Sequence, residues 1–197
     1  EVPSSIDGAS GKLAMPEVPE GYEISFVGAD YEQIVDRDLT VYQPLVTKTV
    51  KMNFNVKKAG DDSTAVDSKE YTMTVTGKYT AEDGDNAKPN VIPELAEWKG
   101  AKGGSFEISD SSRIVVATKD KAELSAMAEE FKNDYKEITG KSIEIVYADQ
   151  ASAGDFFFTL EAAGNGLKEE GYSMNVTDKV EVKAEQKAGA YWSTRTI

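Results

Sequence analysis

Any chemistry in this sequence has to run on carboxylates. Asp and Glu together number 35, while His and Cys are both absent. Without Cys there is no disulfide, no thiolate zinc site and no cysteine nucleophile. Without His there is no Ser-His-Asp triad, no imidazole general base and no nitrogen ligand of the usual kind for zinc. Carboxylate, lysine, tyrosine and serine chemistry remain. The densest loop clusters are Asp61, Asp62 and Asp67, and Glu82, Asp83 and Asp85. Grouped oxygens of this kind suit calcium, which takes several such ligands. Neither cluster follows the Asp-x-Asp-x-Asp-Gly spacing of an EF-hand loop, and the ordinary fate of a polar loop is solvation. Glu129–Glu130 and Glu169–Glu170 are adjacent pairs. Neighbours on a helix point apart, so Glu129 and Glu130 are badly placed to share a proton, and both pairs read as surface. These patterns assign no catalytic, cofactor-binding or metal-ligating residue.

The run Gly100-Ala101-Lys102-Gly103-Gly104 has the composition of a phosphate loop. Such a loop needs a strand before it and a helix after it. A strand pattern follows here, so the run reads as a turn. Trp98 and Trp192 offer flat faces that could stack on sugar rings, but both sit among apolar neighbours and read as packing residues. Arg195 follows Trp192 by about one helical turn and could take an anion or a partner's carboxylate; exposure at the surface is its default. The net charge of −13 argues against a nucleic-acid partner, which demands a basic face, and against adsorption to anionic membranes. No run of ~18 apolar residues is present to span a bilayer.

The elements that would position these groups fall into two sets. Residues 1–20 read as an extended leader, with Pro3, Pro16 and Pro19 opposing regular structure. Strand alternation follows at 22–28 (Tyr22, Ile24 and Phe26 on one face), at 47–60 (Val50, Met52, Phe54 and Val56 inward) and at 69–80 (Tyr71, Met73 and Val75). The polar stretch 59–68 between the last two reads as a hairpin loop. Strands without a helical period predict a small β-sandwich over 21–80. Residues 81–90 are a polar linker.

The character then changes. Strands are expected at 105–109, 112–118, 142–148 and 155–161. The stretch 119–142 reads as an amphipathic helix, with Leu124, Met127, Ala128, Phe131, Tyr135 and Ile138 on one stripe, Asp120 near its start and Gly140 after its end. A hairpin turns at Thr177-Asp178-Lys179, and a short or frayed helix opens at Ala188. The order predicts an α/β domain with a mixed sheet over 91–197.

The stretches Pro89–Thr118, Ala128–Val146 and Gly154–Ile197 carry a resemblance. In order and spacing they resemble the non-catalytic domain that precedes the barrel in bacterial β-N-acetylhexosaminidases of glycoside hydrolase family twenty. The segment Glu170-Gly171-Tyr172, the hairpin, Ala184 and the helix opening Ala188-Gly189-Ala190-Tyr191-Trp192 with Thr196 are its most specific part. The piece from Gly28 to Val56 is similar to an immunoglobulin-like accessory module of large secreted bacterial glycosidases. The family's catalytic pair is an adjacent Asp-Glu on the barrel that follows, working with the substrate's own acetamido group. This chain has no Asp-Glu dipeptide, and no catalytic residue carries over.

The resemblance implies an inactive N-terminal piece of an extracellular or cell-surface hexosaminidase, whose partner is the parent's own catalytic barrel and whose last helix leads into that barrel. The competing reading is a carbohydrate- or surface-binding accessory module, with Tyr22, Tyr31, Tyr42, Tyr71 and Tyr79 as its available platforms. A complete small carboxylate enzyme is the third and weakest reading.

Overall fold

The computed structural model describes residues 5–6, 11–80, 84 and 86–197. The chain divides into two compact units, Glu1–Lys102 and Gly103–Ile197.

The first unit is all β among the described residues. Its long strand β5 (Lys48–Lys58) is the organiser, and the alternation of Val50, Met52 and Phe54 with Lys51, Asn53 and Asn55 is the reason. The three apolar side chains are buried. Strand β3 (Tyr22–Ala29) pairs antiparallel along one side of β5, with a register shift between Phe26 and Gly28. Along its other side β5 pairs first with β7 (Tyr71–Val75) and then with β6 (Asp61–Asp67). Strand β1 (Ser5–Ile6) adds in parallel to β7.

A second, two-stranded sheet joins β2 (Gly11–Lys12) to β4 (Thr40–Val41). Leu13, Ile34, Val35, Leu39 and Val41 pack from this side onto Val50, Met52, Phe54, Met73 and Val75 of the large sheet. Fully burying each such side chain is worth about 1.5–3 kcal/mol. The segment expected to be a leader thus contributes two short strands and a core residue. Residues 59–68, expected to be a loop, are mostly strand β6. Its side chains are solvated on both faces apart from a half-buried Thr64, so it has no alternation to betray it.

The second unit is a five-stranded mixed sheet with helices. Strand β8 (Arg113–Val116) leads through a 3-10 turn (Thr118–Asp120) into helix α1 (Lys121–Thr139). Strands β9 (Glu144–Tyr147), β10 (Phe156–Leu160), β11 (Tyr172–Val176) and β12 (Val180–Ala184) and helix α2 (Lys187–Thr196) follow. The order is β11-β12-β10-β8-β9. Strands β9, β8, β10 and β12 run parallel, and β11 is antiparallel at one edge.

Helix α1 buries Leu124, Met127, Ala128, Phe131 and Tyr135 as its stripe predicts, and Gly140 ends it in the left-handed conformation at φ 72°. Phe131 meets Phe156 and Phe158 edge-on at 5.3 and 5.8 Å. Ile138, expected on the same stripe, is 83% exposed in the last turn. Residues 105–109, expected as a strand, form none. Phe106 still packs on Phe156 at 4.9 Å, so its apolar spacing reports the burial of one ring and no ladder. Phe157 and Thr159 are only half-buried, so β10 is covered less evenly than its composition suggests. No helix among the described residues is long and apolar enough to cross a membrane.

Candidate functional site

The sequence-derived carboxylates do not assemble. Asp61 accepts from the backbone N–H and hydroxyl of Ser63 at 3.1 and 2.6 Å. Asp62 pairs with Lys57 at 2.6 Å, and Asp67 accepts from Asn55 Nδ2 at 2.8 Å. Asp62 and Asp67 tie β6 to β5, and Asp61 is spent on the start of β6 itself. The second cluster, Glu82, Asp83 and Asp85, lies outside the described residues. Glu129 pairs with Lys132 along α1 at 3.4 Å, and Glu169 and Glu170 are exposed in a turn. Among the described residues no group of three or more acidic side chains is disposed to hold a metal ion. Gly103 and Gly104 both take positive φ, with no helix following, so the Gly-rich run is a turn. Trp98 is half-buried and Trp192 is 45% exposed.

Two other carboxylates matter more, and both lie at ends of β10. Asp155 stands immediately before the strand and is 1% exposed. Its Oδ1 accepts from Arg113 N at 3.0 Å and Arg113 Nε at 3.1 Å. Its Oδ2 accepts from Arg113 Nη2 at 2.6 Å and Ser152 N at 2.8 Å. One side chain thereby ties the start of β8 to the start of β10. Asp120 sits at the opposite end, where α1 begins. Its Oδ2 accepts from Leu160 N at 2.7 Å and Thr159 Oγ1 at 2.9 Å, and the Lys119 ammonium is 2.8 Å away. That ammonium also donates to the Leu160 carbonyl. Asp120 therefore holds the helix start to the end of β10 and makes no cap bond to its own helix.

Burial pushes both carboxyls up. For Asp155 the Arg113 guanidinium and the Ser152 N–H outweigh burial; for Asp120 the Lys119 ammonium, the Leu160 N–H and the Thr159 hydroxyl do so, and both end below the ordinary 3.8. The sign follows. A carboxyl with a depressed folded value stabilises fully above the unfolded value and loses that contribution as pH falls through the folded one. Stability of the C-terminal unit should hold down to about pH 4 and fall below it, read as a decreasing urea midpoint between pH 5 and pH 2. A flat midpoint over that range would remove the two locks from the stability account.

Helix α2 makes the second arrangement. Arg195, read as a possible anion binder, is engaged inside the unit: its guanidinium pairs with Asp134 of α1 and lies 5.0 Å from the Tyr191 ring centre. Tyr191 and Trp192 meet edge-on at 5.2 Å, and the Tyr172 hydroxyl bonds Thr196 Oγ1. Gly189, Ala190, Ser193 and Thr194 form the buried face. The helix is ten residues long and is held by this packing, since nothing caps its first turn.

A shallow depression lies where the chain leaves β8 and β9, against one face of β10, lined by Ala117, Thr118, Lys119, Asp149, Phe157 and Thr159. Asp149 Oδ1 accepts from Thr118 N at 3.0 Å. No buried side-chain nitrogen or oxygen among the described residues lacks a partner. Sequence reasoning weighed Asp120 only as a helix start and passed over Asp155 and Asp149. An Asp directly before the apolar run Phe156-Phe157-Phe158 was the available signal for Asp155, because a carboxylate entering a buried strand must find donors.

The family model for glycosyl hydrolase family 20, domain 2, matches residues 88–197. The match takes in the whole of the C-terminal unit and the segment before it. No curated protein matches the chain. The strand-end locks and the α2 packing therefore belong to a known kind of domain, and the chain belongs to glycosyl hydrolase family 20.

Proposed function

We propose that the C-terminal unit is the non-catalytic supporting domain of a secreted β-N-acetylhexosaminidase, stabilising that enzyme's catalytic barrel. The family match over 88–197 carries this reading. The use of the buried carboxylates supports it. Asp120 and Asp155 are held ionised and spend their lone pairs on backbone N–H groups and cations, where a general acid would need a raised value and a free approach. The parent enzyme would act on terminal N-acetylhexosamines. The N-terminal unit is read as its immunoglobulin-like accessory module, on its all-β content and its two packed sheets.

The chain should show no turnover of an aryl N-acetyl-β-glucosaminide above the uncatalysed rate. Hydrolysis that disappears on replacing one of its carboxylates would overturn the reading. Added in trans to a separately produced family 20 catalytic barrel, the chain should raise the barrel's Tm by mass action. An unchanged Tm at saturating chain concentration would remove the supporting role.

A further inference from the structure

The chain order of the C-terminal sheet breaks at one place. From β8 the chain runs through α1 to β9 on one side, then returns as β10 on the other side of β8. The connections leaving β8 and β10 therefore diverge. In open sheets of parallel strands the crevice so formed, outside the C-terminal ends of the strands, is where ligands bind. The depression described above borders that crevice on the β8 side: Ala117, Thr118 and Lys119 follow β8, Asp149 follows β9, and Phe157 and Thr159 belong to β10 itself.

Its lining has a definite chemistry. Phe156 and Phe158 point into the core beneath α1, so the two-residue period turns Phe157 to the opposite face. There Phe157 is half-buried and lines the depression beside Ala117. Asp149 stands at the rim with an exposed side chain. One of its oxygens takes the Thr118 N–H. A carboxylate has about four acceptor positions, so Asp149 keeps capacity for ligand hydroxyls. The Lys119 ammonium is spent on Asp120 and the Leu160 carbonyl.

These groups exclude most ligand classes. A phosphate or other anion would meet Asp149 with no uncommitted cation opposite, on a chain of net charge −13. An extended peptide would need strand-edge groups, and those beside the crevice are paired: Ala117 N donates to Phe158 O at 3.0 Å and Ala148 N to Val116 O at 3.1 Å. The partly exposed Phe157 ring and Ala117, in one lining with an acceptor carboxylate, suit a molecule with one apolar face and a hydroxyl-bearing edge. A pyranose ring has both.

We propose that this depression is a glycan subsite holding one neutral pyranose, its C–H face on Phe157 and a pair of its hydroxyls on Asp149. The subsite does not depend on the supporting role, and it requires no chemistry from the chain.

The full chain, titrated with N,N′-diacetylchitobiose and separately with methyl β-galactoside and followed by amide NMR shifts and calorimetry, tests this. At least one of the two sugars should bind with a Kd on the order of 1 mM, as suits one stacked ring. Shifts should centre on residues 117–119, 149 and 157. Phe157→Ala should weaken binding about tenfold. Phe157→Leu, which keeps apolar volume but no flat face, guards against a folding defect and should lose most of the same affinity at unchanged Tm. Asp149→Asn keeps an acceptor for Thr118 N and should still weaken binding severalfold. Absence of saturable binding by either sugar would overturn the proposal. So would binding that survives both Phe157→Leu and Asp149→Asn, or that falls instead with Tyr79→Ala in the N-terminal unit.

Discussion

Replacing Asp155 by Ala is expected to cost the C-terminal unit about 3 kcal/mol, on the scale set by breaking a buried ion pair. Two losses add. The Arg113 and Ser152 N–H groups lose the acceptor that satisfies them; both are part-buried, so each loss lies toward the low end of the ~1–3 kcal/mol that an orphaned donor costs. The Arg113 guanidinium also loses its counter-charge. That side chain is one-third exposed, so water recovers part of its solvation and holds the total near the lower end of the range. For a unit of this size the loss corresponds to a fall in Tm on the order of 15 °C. Fluorescence from Trp192, which lies in α2, can follow the unit during urea unfolding. A midpoint shift worth less than about 1 kcal/mol would place the pair among ordinary surface contacts.

Gly189→Ala is expected to destabilise by about 2–3 kcal/mol, against the usual sign. In an exposed helix interior the same change gains about 1 kcal/mol, because Ala is the better helix former. Here an added Cβ would lie 2.2 Å from the Gly171 carbonyl oxygen and 3.2 Å from Ala184 Cβ. The neighbour in the way is backbone, and it cannot rotate aside. Gly171 is itself pinned, since a Cβ there would meet the Leu167 carbonyl at 2.1 Å, and its N–H already donates to that carbonyl at 2.9 Å. Helix α2 would have to lift from the sheet, and overpacking of this kind costs about 1–3 kcal/mol or more. Thermal unfolding of the variant measures the sign directly; a higher Tm would mean that the helix yields freely.

These two sites also show what could be read before the fold was in hand. The stripe from Leu124 to Tyr135, the stop at Gly140 and the turn at Thr177–Lys179 are local patterns, and local patterns decide helices and hairpins. The spacing of Gly171, Gly189 and Trp192 carried the family resemblance, though not its reason, which is the contact of two backbones. Strand β6 escaped notice because its two faces are both wet. Asp61, Asp62 and Asp67 looked like a loop cluster because a strand paired on one side and solvated elsewhere has loop composition. The bonds from Arg113 to Asp155 and from Leu160 to Asp120 join residues about forty apart. The crevice between β8 and β10 depends on strand order, which no short window contains. That is why Phe157 was only one residue of the strand expected at 155–161 and Asp149 drew no attention.

Strand β3 is the last strand on its side of the N-terminal sheet, and among the described residues nothing pairs with its outer edge. An open edge of eight residues is a template on which a second copy could add a strand. The irregularity at Val27 interrupts that template. One extra residue between Phe26 and Gly28 throws the donors and acceptors on either side out of step, so an incoming straight strand can match one half of the edge or the other, but not both. The half-exposed Val27 thus looks like a flaw in the ladder, yet it denies an added strand a continuous edge to pair with.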